Sequence, residues 1–227
     1  MSFFTPDFEK PGPGISKDAP PKKGIALFFE ILVREFWQLI KLNLIFILAC
    51  IPIVTIGAAV SGLSKSTTKM VRDVPNDVWD DFKDGFKENL RQTFLPGIIV
   101  LLLFVGSFLG LILYREQPFL QTASLIVLLL MTSIAIHFFP MFTSTTVSAR
   151  ESVRNACLLS ILRFYLTIPT ALFCIFYIEA QLLLLPFSIP FTIFLGFSIP
   201  SFVASFTAWG GIRRHIIRDD LKTNDSE

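Results

Sequence analysis

The sequence predicts an all-α, polytopic membrane helix bundle, and three observations predict it. Of 227 residues, 52% are hydrophobic, 25 are phenylalanine, and the mean hydropathy is +0.63, an apolar excess that a water-soluble core does not absorb. That excess is clustered, with several windows beyond the roughly 18 uncharged apolar residues needed to cross about 30 Å of hydrocarbon. The windows are continuously apolar rather than alternating, which excludes barrel strands; helices are then required, because lipid-exposed backbone must satisfy its own hydrogen bonds. The net charge of +2 is too small to point to nucleic acid.

Residues 1–24 form a polar, proline-punctuated tail without the apolar core of a cleavable signal peptide, and are expected to be disordered. Residues 25–41, "IALFFEILVREFWQLIK", place Glu30, Arg34, Gln38 and Lys41 on one polar stripe, as in an amphipathic helix lying in the membrane interface. Residues 42–211 read as a five-helix transmembrane domain. Span 1 covers about 42–63, span 2 covers 94–114 and span 3 covers 119–143. The apolar run from Phe164 to Trp209 is divided at Glu179 and Gln181, read as a short outer turn, into span 4 (164 to 178 or slightly beyond) and span 5 (183–209), the latter long enough to tilt. Residues 212–227 form a basic tail.

Five spans put loops 64–93 and 144–163 and the C-terminal tail on one side, with thirteen Lys and Arg residues against seven on the other. The positive-inside rule makes that side cytoplasmic and leaves the N-terminus extracellular, although Lys22, Lys23, Arg34 and Lys41 run against this assignment. Pro52, Pro140 and Pro200 each precede a cation (Lys65, Arg150, Arg213) by ten to thirteen residues rich in Ser, Thr, Ala and Gly. They are expected to kink spans 1, 3 and 5 at tight helix contacts, with Thr55, Thr143 or Ser201 taking up the freed carbonyls. Gly57 with Ser61, Ala58 with Gly62, and Gly106 with Gly110 make small faces suited to packing within the bundle or between copies.

Before span 2, "VWDDFKDGFKENLRQTFLPG" sets Trp79, Phe82, Phe86 and Leu90 on one face of a charged helix, a candidate surface for docking a partner. "SARESVRNACLLSILRFYLTIPT" does something similar before Pro169, with Arg154 and Asn155 as docking candidates. No catalytic constellation is visible: there is no HExxH, GxSxG or phosphate-binding loop. Cys50, Cys157 and Cys174 sit in apolar contexts without metal-ligand spacing. Neither a metal nor a cofactor is expected. His137 and Glu179 are the candidate intramembrane polar groups, His137 lying where it would bond a carbonyl freed by Pro140.

The run "LIKLNLIFILACIPIVTIGAAVSGLSKSTTKMVRD" resembles the N-terminal signature of the YesL-like family of bacterial membrane proteins. Asn43 opens the span, Pro52, Thr55 and Gly57 follow, and small residues lead to a basic loop. "HFFPMFTSTTVSARESVRNACLLSIL" is similar to a second family segment, so the likeness covers about 25–170. The resemblance implies about five spans and an association with carbohydrate-uptake operons, often beside ABC importers of oligosaccharides. The segment ending at Pro169 is also similar in layout to the coupling helix of ABC permeases, with Ala156 thirteen residues before the proline, but lacks the acidic-alanine start. The leading expectation is a non-enzymatic membrane component assisting carbohydrate uptake, with the lipid bilayer, ABC permease subunits or further copies of the chain as partners. An independent small-solute transporter lined by spans 1, 3 and 5, and a membrane scaffold or sensor, are the alternatives.

Overall fold

The computed structural model describes residues 24–145 and 148–215; most of the expected N-terminal tail (1–23) and the end of the C-terminal tail (216–227) lie outside the described residues. The described chain is helical throughout: α1 (Ile25–Arg34), α2 (Phe36–Ala49), a 3-10 turn (Ile53–Thr55), α3 (Ile56–Arg72), α4 (Val78–Leu113), α5 (Pro118–Ser144), α6 (Ala149–Leu162), α7 (Phe164–Leu183), α8 (Ile189–Leu195) and α9 (Ser198–His215). By length and composition α5 and α7 suffice to cross a membrane, and α8 with α9 makes a third segment bent by 43°. Phe36–Ala49 and Gly97–Leu113 are shorter apolar helices. Phe119, Leu183 and Phe187 are 83%, 83% and 89% exposed, an arrangement suited to lipid rather than water.

The expected interfacial helix 25–41 is two helices. The chain breaks at Glu35, where Arg34 bonds Glu35 Oε1 at 3.0 Å and Asp73 Oδ1 at 2.7 Å. α2 then runs on past the expected boundary at residue 41, and span 1 is not one crossing. α2 ends at Ala49, the chain turns at residues 50–55, and α3 returns to Asp73 beside Arg34. A single crossing would hold those two side chains about a hydrocarbon thickness apart, roughly 30 Å. Pro52 is therefore the tip of a hairpin, and Thr55 Oγ1 caps it by donating to Ala49 O (2.7 Å) and Pro52 O (2.6 Å). Along the returning helix, Lys69 pairs with Asp81, Lys65 meets Glu88 at 2.7 Å, and the Arg72 guanidinium lies 4.7 Å from the Trp209 ring.

The amphipathic segment and span 2 are fused into α4, whose 36 residues make a rod of about 54 Å. Asp77 starts it by accepting from the Trp79 and Asp80 amides at 3.0 and 3.3 Å. Its inward face differs from the expected one. Phe82 is 5% exposed and Phe86 is half-buried against the same core, so neither is available for docking. Trp79 stays 60% exposed and Leu90 39%. The turn to α3 explains this, because the Phe82 carbonyl and ring press on Gly62, where a Cβ would stand 2.7 Å from the carbonyl oxygen. Farther along, a Cβ on Gly97 would stand 2.5 Å from Gly57 Cα. Gly57 is thus a packing residue, as expected, with Gly97 as its partner.

The remaining corrections concern the last two spans. Glu179 and Gln181 do not mark an outer turn: α7 continues to Leu183, and Glu179 is half-buried within it. Span 5 is not one tilted helix but the broken pair α8–α9. Of the Gly106–Gly110 pair, only Gly110 is in close contact, against Ser124 of α5, while Gly106 faces open space. α6 begins with a capping box in which Ser148 and Glu151 satisfy each other's backbone. On it Arg154 is exposed and Asn155 half-buried, while Ala156 and Leu159 pack against Phe138, Met141 and Ile212.

Gly97→Ala is expected to push the Gly57 backbone away and lower thermal stability in detergent by about 1–3 kcal/mol. Gly106→Ala, on an open helix surface, is expected to leave the melting temperature unchanged or raise it slightly.

Candidate functional site

At the break between α8 and α9, the last carbonyls of one helix and the first amides of the next lose their helical partners. Inside an apolar bundle, those groups need replacements. Asn43 of α2, fully buried, supplies four. Its Nδ2 donates to Thr192 O at 2.9 Å and Ile193 O at 2.7 Å. Its Oδ1 accepts from the amides of Phe197 at 2.7 Å and Ser198 at 3.0 Å. One side-chain amide thus uses its two donors and both acceptor lone pairs.

α7 completes the enclosure. Tyr177 Oη donates to Leu195 O at 3.1 Å, and Gln181 Nε2 donates to Gly196 O at 3.3 Å. Gln181 Oε1 accepts from Thr192 Oγ1 at 2.8 Å. A Cβ on Gly196 would stand 2.7 Å from that Oε1, so only glycine lets Gln181 reach the break. Pro200 lies in the first turn of α9, where a missing amide is tolerated. The carbonyl four residues before it is that of Gly196, and Gln181 serves it rather than Ser201. Ser201 Oγ instead faces Thr67 Oγ1 at 3.2 Å. In α5, Pro140 is inside the helix, but Thr143 bonds Phe139 O and Pro140 O at 2.9 and 3.3 Å, not the carbonyl one turn back.

His137 also has a partner other than the expected carbonyl. Its Nε2 lies 2.8 Å from Thr167 Oγ1, whose proton goes to Arg163 O at 3.1 Å. Nε2 is therefore the donor, and Nδ1 carries the bare lone pair. Arg163, at the α6–α7 junction, donates from Nη1 to Thr207 O at 3.0 Å and lies over Gly210 and Gly211. With Thr170 and Thr207 joined at 2.9 Å, these residues form a polar seam between α5, α7 and α9.

Beside the break, α3, α4, α5 and α9 line a half-open cavity of about 280 Å³. Gly57, Pro140 and Pro200 line it with Phe104, Met131 and Phe197, so the structure brings segments of expected spans 1, 3 and 5 to one space. The lining is almost wholly apolar. Ser64, 3% exposed, lines the cavity with its hydroxyl unpartnered. His137, Glu179, Trp79 and Arg154 do not line it.

Sequence reasoning found Asn43 through its resemblance, took Gln181 for part of an outer turn, and passed over Tyr177, Arg163 and Ser64. The available signal was Pro190, Gly196 and Pro200 inside an apolar run, a pattern of a discontinuous helix.

The hinge, seam and cavity define an all-α bundle with a discontinuous helix, whose apolar helices are compatible with a membrane protein. Residues 39–114, about a third of the 227, match the model of the family described as protein of unknown function, DUF624, and the YesL-like resemblance is consistent with that match. The matched segment runs from α2 through α4 and includes Asn43, Pro52, Thr55, Gly57 and Gly97. Comparison with curated proteins and with solved structures gives no match.

Asn43→Ala would take the donor from Ile193 O and the acceptor from the Phe197 and Ser198 amides, Thr192 O keeping the Gly196 amide at 3.1 Å, and is expected to lower stability by about 2–4 kcal/mol. Asn43→Asp keeps the acceptor for Phe197 and Ser198 but turns a carboxylate oxygen toward two carbonyls, so it is expected to destabilise as well. Thermal unfolding in detergent checks both, with Leu44→Ala, on the outer surface of α2, as a near-silent control.

Proposed function

We propose that the chain is a multi-pass protein of the bacterial cell membrane that assists carbohydrate uptake as a non-enzymatic accessory of an ABC importer. The sugar link comes from the YesL-like resemblance. The observation that carries the accessory role is the apolar interior: sugar hydroxyls need many polar partners, and the cavity wall offers four hydroxyl residues, Ser64, Thr132, Ser201 and Ser205. Work on a sugar then goes through contacts with another protein. Trp79 and Arg154 remain exposed for such contacts, whereas Phe82 and Phe86 do not. The competing reading, an independent transporter, is favoured by the convergence of residues 56–64, 131–140 and 200–205 on one space and disfavoured by its chemistry.

The proposed topology places the N-terminus in the cytoplasm, opposite to the sequence expectation. Arg34 and Asp73 share one side, so an even number of crossings separates them. The α2–α3 hairpin enters and leaves by that side, α4 and α5 cross and return, and α7 with α8–α9 does the same. Nineteen of the twenty Lys and Arg residues then fall on the cytoplasmic side or its membrane border, with Arg115 alone opposite, a stronger bias than thirteen to seven.

Reporter fusions at the two termini are expected to read cytoplasmic at both; an external N-terminus overturns the topology. Affinity purification in mild detergent is expected to recover ABC permease subunits, with recovery reduced by Trp79→Ser combined with Arg154→Ala. Recovery of the chain alone, together with sugar flux into liposomes containing it, overturns the accessory role.

A further inference from the structure

Cations gather at the last turn of α9 from three parts of the chain. The Arg72 guanidinium, from the end of α3, lies 4.7 Å from the Trp209 ring. Arg163, from the α6–α7 junction, lies on the backbone of the next two residues, where a Cβ would stand 3.3 Å from Nη1 and Nη2 at Gly210 and 2.9 Å from Nη1 at Gly211. α9 itself adds Arg213 and Arg214, both exposed. Residues four apart share a helix face, so Arg213 follows Trp209 on the side of Arg72, and Arg214 follows Gly210 on the side of Arg163. Among the described residues, no carboxylate lies within 4 Å of any of these four groups. The dipole of α9 favours cations in its own last turn, but Arg72 and Arg163 come from elsewhere.

We propose that this cluster is a binding site for the phosphate of an anionic phospholipid, with Arg163 as its bidentate ligand. Arg163 uses Nη1 to donate to Thr207 O at 3.0 Å. Its Nε and Nη2 form the other edge of the guanidinium: neither has an acceptor among the described residues, and neither is covered. Such an edge makes two parallel bonds to a phosphate. The residues on either side of Arg163 decide between a lipid and a soluble anion. Ile161, Leu162, Phe164 and Tyr165 are 58 to 72% exposed, a surface suited to acyl chains, and Trp209 is of the residue type that settles at headgroup depth. A ligand that meets both the fork and that surface carries a phosphate and hydrocarbon in one molecule. Basic pockets between helices at the membrane border hold anionic headgroups in this way. The site needs a bilayer around the chain but not the role in import.

The test measures lipid binding to the purified full chain in non-ionic detergent by native mass spectrometry, with phosphatidylglycerol and phosphatidylethanolamine of the same acyl chains as probes and inorganic phosphate as competitor. Phosphatidylglycerol is expected to bind about tenfold more tightly than phosphatidylethanolamine. Arg213→Gln combined with Arg214→Gln is expected to weaken phosphatidylglycerol by about fivefold or more, the effect of at least one basic group at an anionic surface, with phosphatidylethanolamine binding and the melting temperature unchanged. Arg163→Lys keeps the charge and loses the fork, and is expected to weaken phosphatidylglycerol about fivefold; should it fail to fold, the double variant in α9 carries the test. Lys83→Gln combined with Lys87→Gln removes the same charge from the exposed face of α4 and is expected to change nothing. Equal binding of the two lipids, or equal losses in the α4 and α9 variants, overturns the proposal. So does displacement of phosphatidylglycerol by millimolar inorganic phosphate, which would make the site one for a soluble anion.

Discussion

The structure depends on one side chain, Asn43, that holds a broken helix together from another helix. An interruption in a segment surrounded by apolar matter exposes backbone groups that nothing in hydrocarbon can satisfy. Asn43 meets two groups on each side of the gap, and Tyr177 and Gln181 take two of the carbonyls that remain. The break is thereby fixed in angle and anchored at once to α2 and α7. Phe197, whose amide Asn43 receives, also lines the cavity, so the same interaction sets the position of one of its walls.

The rest of the bundle follows from getting α2 into place. Its hairpin with α3 closes through Thr55 at the tip and Arg34 with Asp73 at the open end. α3 can then lie against α4 because Gly57, Gly62, Gly85 and Gly97 remove the side chains that would hold them apart. Close backbone contact of this kind is how helices associate where no hydrophobic driving force separates protein from solvent. On the other side, Arg163 spans the α6–α7 junction to reach α9 over Gly210 and Gly211. The polar groups of the interior thus serve helix contacts and leave the central space apolar.

The helical class and the course of α5 were legible because a continuous apolar run of that length has one backbone solution in lipid. Gly57 and Asn43 were also legible as residues of consequence, the first from its small neighbours and the second from its place in the family signature. The hairpin was not, because an apolar run with a proline looks the same whether the chain kinks or turns back; the ion pair of Arg34 with Asp73 decides between them and joins residues 39 apart. Gln181 was misread for a related reason. Polarity in an apolar run suggests an exit to water, yet here it meets backbone groups at the Gly196 break, which the sequence marks only by that glycine and the prolines on either side of it. Phe82 and Phe86 were misplaced since periodicity defines a face without saying which element covers it.

Hydrogen exchange at individual amides tests the role of Asn43 most directly. The amides of Phe197 and Ser198 should exchange as slowly as those in the middle of α9, and replacing Asn43 by alanine should accelerate these two while leaving the middle of α5 unchanged. Rapid exchange at both positions in the unaltered protein, or rates indifferent to the replacement, would contradict the clamp.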